Sequence, residues 1–169
     1  MGLGIHYYRQ KRLEGQAKED CRRLQVKYDE LSEEISRLEV EGNNDATVDK
    51  LYEQQEKYNF GINQLTEYKE VAFFKKVNFL VDYFKYRQNL SEIPVTREQI
   101  ELLIKKCKIV LENNELAEDL LPTVPGFFFG SLEYDEDYFE SVADVLHEFE
   151  KILSDTDFDT HEIIMWCWW

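Results

Sequence analysis

Residues 17–38 read AKEDCRRLQVKYDELSEEISRL, and Ala17, Cys21, Leu24, Tyr28, Leu31, Ile35 and Leu38 within them are spaced 4, 3, 4, 3, 4 and 3 apart. Three heptads of unbroken apolar stripe predict a helix that packs against another helix. The positions between are mostly Lys, Glu, Arg, Asp and Gln, a polar face on which Arg22, Arg23 and Lys27 balance Glu30 and Glu34. The stripe stops at residues 41–47, where Gly42 suits a left-handed helix end and Asp45 or Thr47 suits the cap of a second helix. That second helix carries Val48, Leu51, Tyr58, Ile62 and Leu65, a stripe weakened by Gln55 and Gly61. Two helices of about 25 residues make an antiparallel arm roughly 35–40 Å long. It reads as a hairpin inserted at 13–68 and protruding from a compact body made of 1–12 and 69–169. A structural spacer, an arm for homo-oligomers and a docking arm are all open uses.

Outward from the arm, Val71, Phe73, Phe74, Val77, Phe79, Leu80, Val81, Tyr83, Phe84 and Tyr86 are so dense in apolar side chains that the second helix is expected to run on as a central core helix. Asn78 interrupts it, and a buried amide must find partners or a ligand, so a structural role and a site role both stand. Lys85 and Arg87 extend a basic strip near its end, and Ile93-Pro94 stops any helical continuation. Thr96 with Gln99 forms a capping box for a helix whose apolar face is Ile100, Leu103, Ile104, Cys107 and Leu111. A short helical turn through Leu116–Leu121 ends at Pro122, and residues 123–131 read as an extended passage with glycines on both sides of Phe127, Phe128 and Phe129. Acids at 135–137 open a last helix that buries Tyr138, Val142, Val145, Leu146, Phe149 and Leu153.

Both ends of the chain read as strands. Leu3, Ile5 and Tyr7 alternate with Gly4, His6 and Tyr8, while His161–Trp169 is apolar on both faces and asks for cover on each. The resulting fold class is α+β and mostly helical: a small sheet pairing the first and last strands, with Phe127–Phe129 as candidate third strand, packed helices, and the coiled-coil hairpin.

The 169 residues can bury roughly 70 % of their unfolded surface, enough for one real core. The longest apolar runs fall far short of the roughly 20 residues that span a bilayer. The opening residues lack the basic, apolar and cleavage regions of a secretory signal, and three well-separated cysteines fit reduced thiols, so a cytosolic location without a membrane partner is expected. Residues 112–169 hold sixteen acids against one base, Lys151, and so carry the whole formal charge of −15. That third would repel phosphates over about 8–10 Å, which argues against direct nucleic-acid binding. It reads as a solubilising face or as a surface complementary to a basic protein.

Catalytic signatures are missing. His6, His147 and His161 lie far apart, with no nucleophile elbow, no metal-ligand spacing and too few glycines for a phosphate-cradling loop, so no catalytic residue, metal or cofactor is assigned. Asp155-x-Asp157-x-Asp159 opens like a calcium loop, but Thr160 and Trp166 stand where its glycine and bidentate glutamate belong. What remains is aromatic stacking. Tyr7, Tyr8, Phe127, Phe128, Phe129, Tyr134, Tyr138, Trp166 and Trp168 offer flat faces, Lys75, Lys76 and Arg97 offer cations for phosphates, and Asn78 and Ser131 complete the candidate ligand site. Core packing is the competing use of the same rings.

At Pro125-Gly126-Phe127-Phe128-Phe129-Gly130-Ser131-x-Glu133-Tyr134-Asp135-Glu136-x-Tyr138 the chain resembles a group of small proteins of tailed phages and prophages. The similarity extends to Met1-Gly2-Leu3, Tyr7-Tyr8, Lys76-x-Asn78, Leu120-Leu121-Pro122-Thr123 and Trp169, covering 1–12 and about 70–169 but not the hairpin. The resemblance implies a phage origin and expression in the cytosol of an infected bacterium. A non-catalytic binder that sequesters a nucleotide-type immune signal and so blunts antiviral defence is the leading expectation. An acidic inhibitor of anti-CRISPR or DNA-mimic type, masking a nucleic-acid-binding surface of a basic host defence protein, is the second. A structural or assembly factor using the arm is the third.

Overall fold

The structure, a computed structural model, describes residues 2–42, 46–86, 92–126 and 128–169; Phe127, Arg87 and the Asp45 cap lie outside them. The chain divides into two compact units, one of Lys11–Tyr68 and one of the residues up to Gln10 together with Lys69–Trp169.

The first unit is the hairpin. Helices α1 (Gly15–Val40) and α2 (Ala46–Thr66) run antiparallel. Tyr52 donates to the Glu39 carboxylate, Gln55 donates to the Ser32 hydroxyl, and the Lys27 ammonium lies 5.6 Å from the Tyr58 ring centre. Ile35 and Val48 are buried, whereas the other stripe residues are half-buried because two helices shield each other on one side only. Gly42 ends α1 at φ 80°, in the left-handed region. Gly61, which weakens the stripe, admits Leu24: a Cβ there would lie 3.0 Å from Leu24 Cδ1.

The second unit is α+β. Strands β1 (Gly4–Lys11), β2 (Lys69–Lys75), β3 (Ile93–Val95) and β4 (His161–Trp168) form one sheet in the order β2-β1-β4-β3. β1 and β2 are antiparallel, with Gly4 opposite Lys75, His6 opposite Phe73, and an irregularity between Tyr7 and Tyr8. β3 and β4 are antiparallel as well, with Ile93 opposite Met165. The first and last strands are hydrogen-bonded neighbours, and Gln10 donates to the Glu162 carboxylate at one end while Trp168 reaches Gly4 at the other.

Period-2 alternation sends Leu3, Ile5, Tyr7, Ala72, Phe74, Ile163, Met165 and Cys167 into the core. There they join the apolar faces of α4 (Arg97–Glu112) and α6 (Glu136–Asp155). Thr96 and Gln99 close the expected capping box on α4, and the Asp135 carboxylate accepts from the Tyr138 N–H to cap α6. A 3-10 turn (Asn114–Leu116) and α5 (Ala117–Leu120) join them to the loop that follows.

Two expectations are corrected. The long core helix over Val71–Tyr86 is instead strand β2 followed by a short helix, α3 (Phe79–Tyr83). Ala72 and Phe74 point inward and Phe73 and Lys75 outward, an alternation that the apolar density of the run conceals. Of the segment expected as third strand, the described residues Phe128 and Phe129 do not supply one: Phe128 sits in a turn at φ 68°, Phe129 is outside any strand, and β2 and β3 extend the sheet. The last strand is covered on both faces over most of its length, with Ile163, Met165 and Cys167 buried on one and Ile164 buried and Trp166 half-buried on the other, and only Trp168, 39 % exposed, opens to solvent.

Phe149 of α6 is fully buried and its ring meets Tyr7, Phe74 and Phe84 at 4.9, 6.1 and 6.0 Å, so it joins the helices to the sheet. Phe149→Ala is expected to destabilise this unit by about 3–5 kcal/mol, read from its urea midpoint.

Candidate functional site

The outward face of the sheet gathers rings from three strands. His6 is the hub: its ring centre lies 6.0 Å from Tyr8 in a stacked pair, 4.6 Å from Phe73 and 5.2 Å from Trp166. The Trp168 indole N–H donates to His6 Nε2 at 3.1 Å, and His6 Nδ1 meets the Glu70 carboxylate at 2.6 Å. An indole nitrogen only donates, so Nε2 must be the bare nitrogen and Nδ1 carries the proton toward Glu70. Glu70, His6 and Trp168 thus form a chain of two hydrogen bonds that fixes the indole. Gly4 makes room for it: a Cβ at Gly4 would come within 2.7 Å of Trp168 Nε1.

Beside the indole lies an apolar notch of about 280 Å³, bordered by Gly2, Leu3, Gly4, Phe73, Lys75, Lys76 and Trp168. Phe73 is 48 % exposed there. The same two lysines also line a cleft of about 360 Å³, whose walls include Asn78, Ser131, Glu133, Asp135, Asp137 and Tyr138. Lys76 follows β2 with φ 62°, a costly conformation for a side-chain-bearing residue. Its N–H donates to Leu3 O at 2.8 Å, and its side chain lies over Gly2 and Gly130, where added Cβ atoms would come within 3.3 and 3.1 Å. Among the described residues neither Lys75 nor Lys76 has an ion-pair partner.

Asn78 resolves in favour of structure. Its amide N–H2 donates to Ser131 O at 3.0 Å and to Phe129 O at 3.4 Å, and its carbonyl accepts from the Val124 N–H, so it pins both arms of the 123–131 loop beside the cleft. Other candidate residues scatter. Tyr7 is fully buried against Phe74, Phe84 and Phe149, which leaves no face for a ligand. Phe129 is buried against Trp169. Tyr134 stacks edge-on against Tyr138 and its hydroxyl accepts from the Thr123 N–H, so it serves the loop. Tyr138 lines the cleft but is buried, and its hydroxyl donates to Leu121 O. Arg97 pairs with Glu101 at the start of α4 and lines neither cavity. Phe128 is half exposed outside both.

Lys75, Lys76 and Trp168 are brought together, with Tyr8 and Trp166 on the same sheet face through His6, and with Asn78 and Ser131 in the cleft that the lysines line. Phe73, His6, Glu70, Gly4 and Gly130 are the members that sequence reading missed. Strand alternation through Val71, Phe73 and Lys75 is the signal that finds Phe73. No family model, no curated protein and no solved structure matches this chain. No described helix is long and apolar enough to cross a membrane, and no described cluster of His, Cys, Asp and Glu could hold a metal ion.

Burial pushes the Cys107 and Cys167 thiols up to about 12, away from the thiolate form that attacks or binds metals. Native protein is therefore expected to react with Ellman's reagent at half-buried Cys21 alone, and at all three cysteines in guanidinium. The unfolded thiols ionise near about 8.5 while the native ones hold their protons. Their contribution to stability is thus intact below that value and declines as pH rises from there toward 12.

Proposed function

We propose that this chain is a phage-encoded, non-catalytic binding protein that captures a nucleotide-type signal of bacterial antiviral defence in the host cytosol. The observation that carries the reading is the Lys75–Lys76 couple, without an ion-pair partner among the described residues, beside the exposed rings of Phe73 and Trp168. A flat base stacks on such rings, and its phosphates take charge-assisted hydrogen bonds from two ammonium groups. Capture is favoured over turnover because His6, the one imidazole near the notch, spends its bare nitrogen on the Trp168 indole. Phage origin rests on the resemblance around 125–138, and the defence role is proposed because small phage proteins without an enzyme signature often act by occupying a host component.

One observation favours the acidic-inhibitor reading. Asp137, Glu140, Asp144 and Glu148 follow each other at spacings of three and four along α6, and the first three are exposed. Such a row of carboxylates presents regularly spaced negative charge, as a nucleic-acid strand does. Its mark is binding to a basic protein that weakens steeply with salt.

Isothermal titration with cyclic dinucleotides and ADP-ribose tests capture. At least one is expected to bind, and Lys75→Glu with Lys76→Glu to weaken it by about 100-fold or more without changing the far-UV spectrum. Absence of heat with every one of these compounds at high concentration overturns the proposal.

A further inference from the structure

We infer that Lys75 and Lys76 are the centre of a two-sided site, whose ligand consists of two nucleoside-like halves joined through phosphate. The inference rests on the binding reading above and adds the class of ligand. Both lysines border both cavities. The left-handed turn at Lys76 makes this possible, because it takes the chain off the strand just where alternation would have sent the two side chains to opposite faces.

The cavities differ in chemistry in a way that divides the ligand. The notch is lined by apolar surface, two rings and the lysines, with no carboxylate, and so accepts a flat heterocycle next to a phosphate. The cleft sets Glu133, Asp135 and Asp137 against the same two lysines. Three carboxylates facing two ammonium groups make a poor site for a bare phosphate. They suit a part that brings hydrogen-bond donors, such as a ribose diol or a base amino group, while its phosphate stays at the lysine end. Glu133 and Asp137 have no ion-pair partner among the described residues, and the Ser131 hydroxyl, which accepts from the Glu133 N–H, keeps its own proton to donate. At about 280 Å³ the notch falls just below, and at about 360 Å³ the cleft near the lower end of, the range of small-molecule sites, about 300 to 1,000 Å³. One nucleoside fills one side; a dinucleotide is needed to use both.

The test compares ADP-ribose and cyclic di-GMP with AMP by isothermal titration, on the natural chain and on Trp168→Ala, Asp137→Asn and Glu133→Gln. At least one two-nucleoside or nucleoside–sugar probe is expected to bind about tenfold or more tighter than AMP. Trp168→Ala and at least one cleft variant should each weaken that probe by about fivefold or more, while the cleft variants leave AMP unchanged. If AMP matches the larger probes, or if Trp168→Ala weakens them and both cleft variants are silent, the two-sided site is overturned and capture in the notch stands. If none of the three binds, the two-sided site is overturned, and capture with it when the other cyclic dinucleotides give no heat either.

Discussion

Strand β1 lies between β2 and β4 and is hydrogen-bonded on both edges, so the start of the chain is held by its middle and its end at once. Everything at the candidate site depends on that placement. It puts Gly4 beneath the Trp168 indole, His6 between Glu70 and that indole, and Leu3 where its carbonyl takes the Lys76 N–H. Inward, the same strand sends Leu3, Ile5 and Tyr7 into the core against α6. A single register therefore sets both the packing that stabilises the unit and the outward face on which chemistry is possible, because a slip of one residue would exchange the two sets.

Local charge matters more than the total at this spot. A chain of formal charge −15 repels phosphates at long range, but at physiological salt that repulsion fades over about 8 Å. Two ammonium groups in contact with a ligand act inside that distance. Aromatic faces then add attraction that salt does not screen. Glu133, Asp135 and Asp137 line the cleft together with the lysines and, on the two-sided reading proposed above, would give it a preference for donors that a uniformly basic pocket lacks.

Much of this arrangement can be read from the letters, and the rest fails for physical reasons. The heptad stripe of 17–38 identifies the hairpin because an apolar seam at 3.5-residue spacing has few other uses. Alternation at both chain ends identifies β1 and β4. Strand β2 is hidden because Val71–Phe74 is apolar without a break, so period 2 and period 3.6 fit it about equally until Lys75 is placed. That one misreading also conceals Phe73, which shares a sheet face with Lys75 only in a strand. Tyr7, Phe129 and Tyr138 belong to the core for the reason that makes aromatic residues ambiguous in any sequence: the same ring serves packing and stacking. Lys75, Lys76 and Trp168 were within reach because cations next to exposed rings have no role in a core.

The most direct measurement uses a protein whose only indole is Trp168, with Trp166→Phe and Trp169→Phe, titrated with ADP-ribose and cyclic di-GMP while its emission is recorded. A saturable change in emission with at least one of them, absent when Lys75 and Lys76 are both replaced by glutamate, is the predicted result. Emission that stays constant through millimolar concentrations of both contradicts a ligand seated against this ring.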